Sequence, residues 1–332
     1  MRIGLIGLGR IGAFHAHTLK GMEQVDELLV TDVVDGLAAA VADELGATAV
    51  DTPEALLTAG LDGVVIASST GTHPDLIVRA VQAGITTFCE KPVALAARDA
   101  QDVQRRIAGH DVPVQIGFPR RFDAAFVAAR EDLVQGRLGR LHTVRSTTLD
   151  PAPPPEAYIQ GSGGIFRDCS IHDFDAIRWA TGREVVEVYA AGGNRGADYI
   201  AAAGDADTAS AILTLDDGTL AVVSNTRENG RGHDVRLELL GSQDSVAAGL
   251  DDGLPLRSAT PGAIFPAGPP AYFFMDRFAG AFRAELAAFV DVVAGTRPSP
   301  CTVADGVEAS LIAEACTVSR REHRPVTIDE VR

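Results

Sequence analysis

Six residues constrain this chain more than any others: Gly7-Leu8-Gly9-Arg10-Ile11-Gly12 lies directly between a short apolar run at residues 3–6 and a stretch with helical periodicity. A G-x-G-x-x-G turn in that position belongs to a strand–turn–helix unit. Its first glycine permits a tight turn, the second leaves the backbone open to close approach, and the third lets helix and strand pack closely. The rest of the first third agrees. Apolar runs at 28–31, 64–67, 86–89 and 114–117 alternate with 37–45, 75–83 and 96–107, whose apolar residues recur at helical spacing, and Gly46, Gly84 and Gly109 stand where C-terminal caps belong. Right-handed crossovers between such strands cover both faces of a parallel sheet, so we expect a doubly wound α/β domain over residues 1–121.

Beyond residue 121 the pattern changes. β-rich stretches at 142–149, 185–191, 208–215, 220–225 and 235–240 succeed one another without an obvious helix between them, which predicts antiparallel sheet. Asp216-Asp217-Gly218 reads as a hairpin turn, with glycine accepting the positive φ. Pro151-Ala152-Pro153-Pro154-Pro155 and residues 262–270 read as loops, and amphipathic helices are expected at 278–293 and 303–319. Residues 122–332 should therefore form an α+β domain on a large open antiparallel sheet. At 332 residues the chain is long enough for two domains, each with its own core.

A formal net charge of −16 repels phosphate backbones and anionic membrane faces, which argues against a nucleic-acid or membrane partner. Cys89, Cys169, Cys301 and Cys316 form no C-x-x-C pair and sit among apolar neighbours, so we expect reduced core thiols and no metal site. Met1-Arg2-Ile3-Gly4-Leu5-Ile6 begins like a secretory signal, but Arg10 interrupts it and no small-residue cleavage site follows. No run approaches the ~20 apolar residues of a membrane span. A soluble, cytoplasmic protein is expected.

The glycine turn brings a backbone and a helix N-terminus against an anion, as a dinucleotide pyrophosphate requires. Asp32 closes the second strand about 20 residues after Gly12, where a carboxylate accepts the hydroxyls of an adenosine ribose. An acid there repels a 2′-phosphate, and Val33, Val34 and Asp35 supply no arginine to receive one, so NAD is expected over NADP. His15 and His17, early in the following helix, read more simply as packing or solvent-facing residues than as cofactor contacts.

Glu90-Lys91-Pro92 follows a strand at the carboxyl edge of the sheet, where a doubly wound domain presents ligand groups. A lysine there reaches a reacting oxygen, and Pro92 restrains the backbone beyond it. Glu90 either fixes Lys91 or caps the strand. Further on, Gly163-Gly164-Ile165-Phe166-Arg167-Asp168-Cys169-Ser170-Ile171-His172-Asp173 reads as a glycine-rich lead into one helix, on which Asp168 and His172 share a face. A carboxylate beside an imidazole orients it and favours its charged form, a nearby ammonium opposes that, and together they poise a base near neutral pH.

The opening turn, Glu90-Lys91-Pro92, Gly117-Phe118-Pro119-Arg120-Arg121-Phe122-Asp123 and Ser162-Gly163-Gly164 with Asp168, His172-Asp173, Asp175 and Trp179, in this order, resemble the Gfo/Idh/MocA oxidoreductases, most closely their inositol 2-dehydrogenases. The resemblance covers nearly the whole chain. It implies an N-terminal Rossmann domain and a C-terminal α+β domain used for substrate binding and oligomerisation, with a homotetramer or dimer expected. It implies NAD-dependent oxidation of a secondary hydroxyl of inositol or a related cyclic polyol, with Lys91, Asp168 and His172 catalytic and His172 the general base. Gly7, Gly9, Arg10, Ile11, Gly12, Asp32, Ser68, Thr70, His73, Glu90 and Lys91 are expected at the cofactor; Arg120, Asp150 and His233 join the catalytic three at the substrate. Many inositol dehydrogenases carry a tyrosine where this chain reads His233, which leaves sugar 3-dehydrogenases and ketosugar reductases of the same family as alternatives. An alternative of another class is a non-catalytic NAD sensor or scaffold.

Overall fold

The computed structural model describes residues 1–332. The chain forms two units: Met1–Phe118 with Phe282–Glu308, and Pro119–Ala281 with Ala309–Arg332. Strands β1 (Arg2–Ile6), β2 (Glu27–Thr31), β3 (Thr48–Ala49), β4 (Gly63–Ile66), β5 (Thr86–Glu90) and β6 (Val114–Gly117) make one parallel sheet in the order β3-β2-β1-β4-β5-β6. Between them run helices α1 (Arg10–Lys20), α2 (Leu37–Leu45), α3 (Pro53–Leu57), α4 (His73–Gln82) and α5 (Ala97–Ile107). The central strands are buried almost end to end, as a sheet covered on both faces demands. β3 was not expected: two exposed residues carry no apolar signal, and only pairing with β2 makes them a strand.

The expected boundary at residue 121 and the expected single cut are both corrected. Leu286, Phe289 and Val290 lie in one buried cluster with Ile3, Leu5, Val65 and Phe88, so a late segment of chain completes the first core. Gly63 lies on β4 with so little room that an added Cβ would meet Phe289 and Val293. Periodicity shows that such a segment is helical, but not which core it fills.

The second unit contains α6 (Ala124–Val134), β7 (Leu141–Leu149), α7 (Glu156–Gly161), α8 (Ile165–Asp168), α9 (Ile171–Thr181), β8 (Val185–Gly193), α10 (Asp198–Ala202), β9 (Thr208–Leu215), β10 (Leu220–Thr226), β11 (Asp234–Gly241) and β12 (Ser245–Ala248). Helices α11 (Phe274–Val293) and α12 (Val303–Glu322) and the short β13 (Val326–Thr327) follow. Seven strands pair in the order β12-β11-β7-β10-β9-β8-β13. The hairpin at Asp216-Asp217-Gly218 joins β9 to β10, with Gly218 at φ 83°.

The sheet is largely antiparallel, as expected, with one parallel pairing that makes it mixed. β7 inserts between β10 and β11 and pairs parallel with β10, Leu149 opposite Thr226, while pairing antiparallel with β11, Leu149 opposite Asp234. β7 and β8, and likewise β10 and β11, are therefore consecutive in sequence without being neighbours. Alternating burial on β8, β9 and β10 leaves Tyr189, Ile212, Leu220 and Val222 exposed on one face.

Candidate active site

The glycine turn leaves β1 at Gly7, whose φ of 93° and whose approach to Ser68, 2.6 Å from an added Cβ, exclude other residues. A side chain at Gly12 would overlap the carbonyl oxygen of Gly7. Gly9 differs, for a Cβ there would meet nothing within 4 Å. Two glycines are thus demanded by packing, and the third keeps a cradle open. Beside it lies a cavity of about 360 Å³ lined by Gly7, Gly9, Asp32, Val33, Ser68 and Thr72, among others. An open backbone cradle, a helix starting at Arg10 and a carboxylate at the end of β2 fit the pyrophosphate and ribose of NAD.

Asp32 has a second task that its spacing did not reveal. Oδ2 accepts the backbone N–H of Leu8 at 2.6 Å and Oδ1 that of Val34 at 2.8 Å, so the same carboxylate pins the glycine turn. Hydrogen bonds to a charged group contribute about 1.5–3 kcal/mol. Asp32→Ala should therefore lower kcat/KM with NAD by roughly 10–100-fold and narrow the preference over NADP. Steady-state kinetics with both cofactors checks this, and a wild-type enzyme that prefers NADP would contradict the reading of Asp32.

Of the other expected cofactor residues, Arg10 is exposed at the start of α1, Ile11 is half-buried, and Thr70 opens a single helical turn after β4. Ser68 Oγ lies 2.7 Å from Thr72 Oγ1 on the cavity wall. His73 does not line the cavity. It is buried, with Nδ1 2.8 Å from the carbonyl oxygen of Pro92 and Nε2 3.1 Å from that of Ser68. Burial lowers its pKa, opposed by these two carbonyls and by Glu90. Of the two early histidines, His17 is exposed beside Glu44, whereas His15 is buried and bonded to Glu90. Cys89, one residue before Glu90, is a core thiol whose pKa burial pushes well up.

In the second unit, the single helix expected through Asp168 and His172 is broken. The Ser170 N–H bonds to the carbonyl of Ile165, five residues back, so the chain takes up an extra residue before α9 restarts. Asp168 ends α8 and His172 sits in the first turn of α9. Asp168 accepts from Tyr158 Oη at 2.7 Å and from Arg227 Nη1 at 2.9 Å. Arg227 is fully buried and also donates to Asp205 Oδ2 at 3.1 Å.

Sheet pairing explains how distant residues meet here. Leu149, Thr226 and Asp234 are opposite one another, so Asp150, Arg227 and His233 project from one end of three adjacent strands. His233 Nδ1 lies 3.3 Å from Asp150 Oδ1, and Cys169 Sγ lies 3.4 Å from Asp150 Oδ2. Phe274 and Phe278 pack edge-on against the His233 ring. Asp150, Asp168 and His233 are thus gathered at one sheet end. Tyr158, Arg227 and Asp205, which hold Asp168 there, were not found from sequence. Their signal was a lone arginine just past a strand, meaningless until that strand's neighbour is known.

Arg120, expected at the substrate, is buried, donating from Nη1 to Asp173 Oδ1 at 2.7 Å and from Nη2 to Thr148 Oγ1 at 2.7 Å. Asp173 also accepts from Ser146 Oγ at 2.6 Å and Asn225 Nδ2 at 2.7 Å. Arg121 makes a two-pronged bond to Asp175 at 2.9 and 2.6 Å, and Asp123 caps α6 and pairs with Arg277. The Pro119–Phe122 segment and the acids of α9 thereby dock that helix on the sheet. His172, one residue before Asp173, is turned about 100° away around the helix axis.

Comparison with known proteins agrees with this architecture. A model of an oxidoreductase family with an NAD-binding Rossmann fold matches residues 1–118, and a GFO/IDH/MocA C-terminal domain model matches residues 126–247. The chain is 36% identical to myo-inositol 2-dehydrogenase of Thermotoga maritima over 337 aligned residues, covering 100% of this chain and 99% of that one. It is 37% identical to inositol 2-dehydrogenase of Rhizobium meliloti, covering 99% of both. The solved structure of scyllo-inositol dehydrogenase from Lactobacillus casei with bound NAD(H) and scyllo-inositol is similar at a TM-score of 0.90 and 31% identity, again over 99% of both chains. With family models matching both a Rossmann domain and the sheet domain that follows it, the chain belongs to the GFO/IDH/MocA oxidoreductases.

Proposed function

We propose that this chain uses NAD to oxidise a secondary ring hydroxyl of inositol, or of a closely related cyclic polyol, to the ketone. The observation that carries the reading is the cluster at the end of β7, β10 and β11, where Asp150, Asp168 and His233 meet just before the helix that bears His172. Full-length likeness to inositol dehydrogenases supports it.

NAD, when bound, supplies the acceptor for the hydride that leaves the carbinol carbon. His172 takes the hydroxyl proton as general base. The Lys91 ammonium hydrogen-bonds the same oxygen and stabilises it more as alkoxide character grows, which is how a positioned charge lowers a barrier. Asp168, held by Tyr158 and Arg227, orients the imidazole. Asp150 accepts from a neighbouring ring hydroxyl, and His233 contacts another. Arrayed hydroxyl partners suit a polyol better than an aldehyde.

We further place the protein in the cytoplasm as a homo-oligomer, a tetramer or dimer, that buries the apolar sheet face of Tyr189, Ile212, Leu220 and Val222. No helix is long and apolar enough to cross a membrane.

NAD reduction across inositol isomers, monosaccharides, open-chain aldehydes and nucleotide-linked sugars tests the substrate class. The highest kcat/KM should fall among the inositols, and turnover confined to nucleotide-linked sugars would overturn the reading. His233→Tyr should change the ratio of kcat/KM between inositol isomers several-fold, since one hydrogen bond contributes about 1 kcal/mol. An unchanged ratio would remove His233 from the substrate.

A further inference from the structure

Two buried histidines hold Lys91 from either side. His15, on α1 shortly after Gly9, has no exposed surface and places Nε2 2.7 Å from Glu90 Oε1. Its Nδ1 is buried with no hydrogen-bond partner, and the rings of Phe14, Phe88 and Phe282 stand 6.2, 5.7 and 6.1 Å away. The one hydrogen bond this imidazole makes is therefore to the residue before Lys91. A histidine enclosed by aromatic rings costs desolvation that a leucine would not, so the polar contact is what its chemistry adds there. His73 lies between two carbonyls, Nδ1 2.8 Å from that of Pro92, the residue after Lys91, and Nε2 3.1 Å from that of Ser68; the neutral ring donates to one of them and the charged ring to both.

Both straps lead to the cofactor cavity. α1 starts from the glycine turn, and Ser68 lines the cavity wall against Gly7. Glu90 and Pro92, on either side of Lys91, are thus tied to the helix that the glycine turn opens and to a residue that lines the cavity. A lysine side chain has four rotatable bonds, and where its ammonium comes to rest depends on how well its backbone is held. We propose that His15 and His73 are positioning residues that present Lys91 to the reacting oxygen and couple that presentation to cofactor binding. The inference rests on the reading of Lys91 given above.

The test compares His73→Asn, His73→Gln, His15→Asn and Lys91→Met, singly and in pairs, by kcat, by NADH affinity from nicotinamide fluorescence, and by thermal unfolding. An asparagine amide can replace Nδ1 and keep the Pro92 bond; a glutamine amide can replace Nε2 and keep the Ser68 bond. His73→Asn should retain kcat better than His73→Gln, which should retain NADH affinity better. His73→Gln and His15→Asn, each of which removes the bond to a neighbour of Lys91, should lower kcat by about tenfold in the parent enzyme, on the scale of one hydrogen bond. In the Lys91→Met background they should lower it little further. The conservative variants keep a polar group in each site, so folded protein is expected, and the unfolding curves show whether it is obtained. Equal losses with and without Lys91, or losses that follow unfolding temperature alone, would overturn the proposal. So would unchanged kcat in the histidine variants beside a large loss in Lys91→Met. Full activity of Lys91→Met would instead fault the reading of Lys91, and the inference with it.

Discussion

His172→Ala should lower kcat on the best inositol by about 10²–10⁴-fold, roughly 3–5 kcal/mol of barrier, while NADH affinity stays close to wild type. The reason lies in where the residue sits. His172 belongs to α9 of the second unit, and the glycine turn, Asp32 and Ser68 that frame the cofactor cavity belong to the first. The substitution also leaves in place Asp173 and Asp175, whose ion pairs with Arg120 and Arg121 dock α9. Lys91→Met should likewise lose activity. Because base and ammonium are assigned to one oxygen, the double variant should lose less than the product of the two losses. Near-wild-type kcat for His172→Ala across pH 6–10 would show that the imidazole is structural. A strictly multiplicative double variant would show that the two groups serve different steps.

Arg120→Met should destabilise the second unit by about 3–5 kcal/mol, read as a shift in the denaturation midpoint. The Asp173 carboxylate is wholly buried, and Arg120 is its countercharge at 2.7 Å. Ser146, Thr148 and Asn225 would still donate to it, but neutral donors do not replace a cation in a fully buried site. Adding Asp173→Leu to Arg120→Met should recover part of the loss, since the pair can be exchanged for apolar groups at far lower cost than one partner can be removed. Activity should fall as well, because the same cluster sets the start of α9 and hence His172. A midpoint unchanged from wild type would mean that the buried Asp173 carboxyl does not depend on Arg120.

Much of the first unit was legible residue by residue. Apolar runs bounded by glycine caps located five of its six strands, and the spacing from Gly12 to Asp32 marked the cofactor turn. β3 escaped because it has no buried face. The division of the chain escaped because Leu286, Phe289 and Val290 read as one side of an amphipathic helix whichever core receives them. The anchoring bonds of Arg120 escaped for a related reason. An arginine after a strand carries no sign of the acid it will meet, and Asp173 comes opposite it only through the tertiary fold.

Local chemistry in the sequence was enough to point to a dinucleotide-binding α/β domain and a sheet domain after it, while a resemblance carried by several such motifs in order implied the family and its candidate lysine, aspartate and histidine. These features depend on residues within about one turn or one strand of each other, where steric rules and periodicity act directly. Tertiary structure alone decided what surrounds those residues. β7 had to insert between β10 and β11 before Asp150, Arg227 and His233 could share one end of the sheet, and the shift at Ser170 separated Asp168 from the helix of His172. Likewise β5 had to lie beside α1 and α4 before His15 and His73 could reach the residues flanking Lys91. Strand order and the filling of a shared core are settled by contacts between residues far apart in sequence, and no local pattern encodes which strand lies next to which.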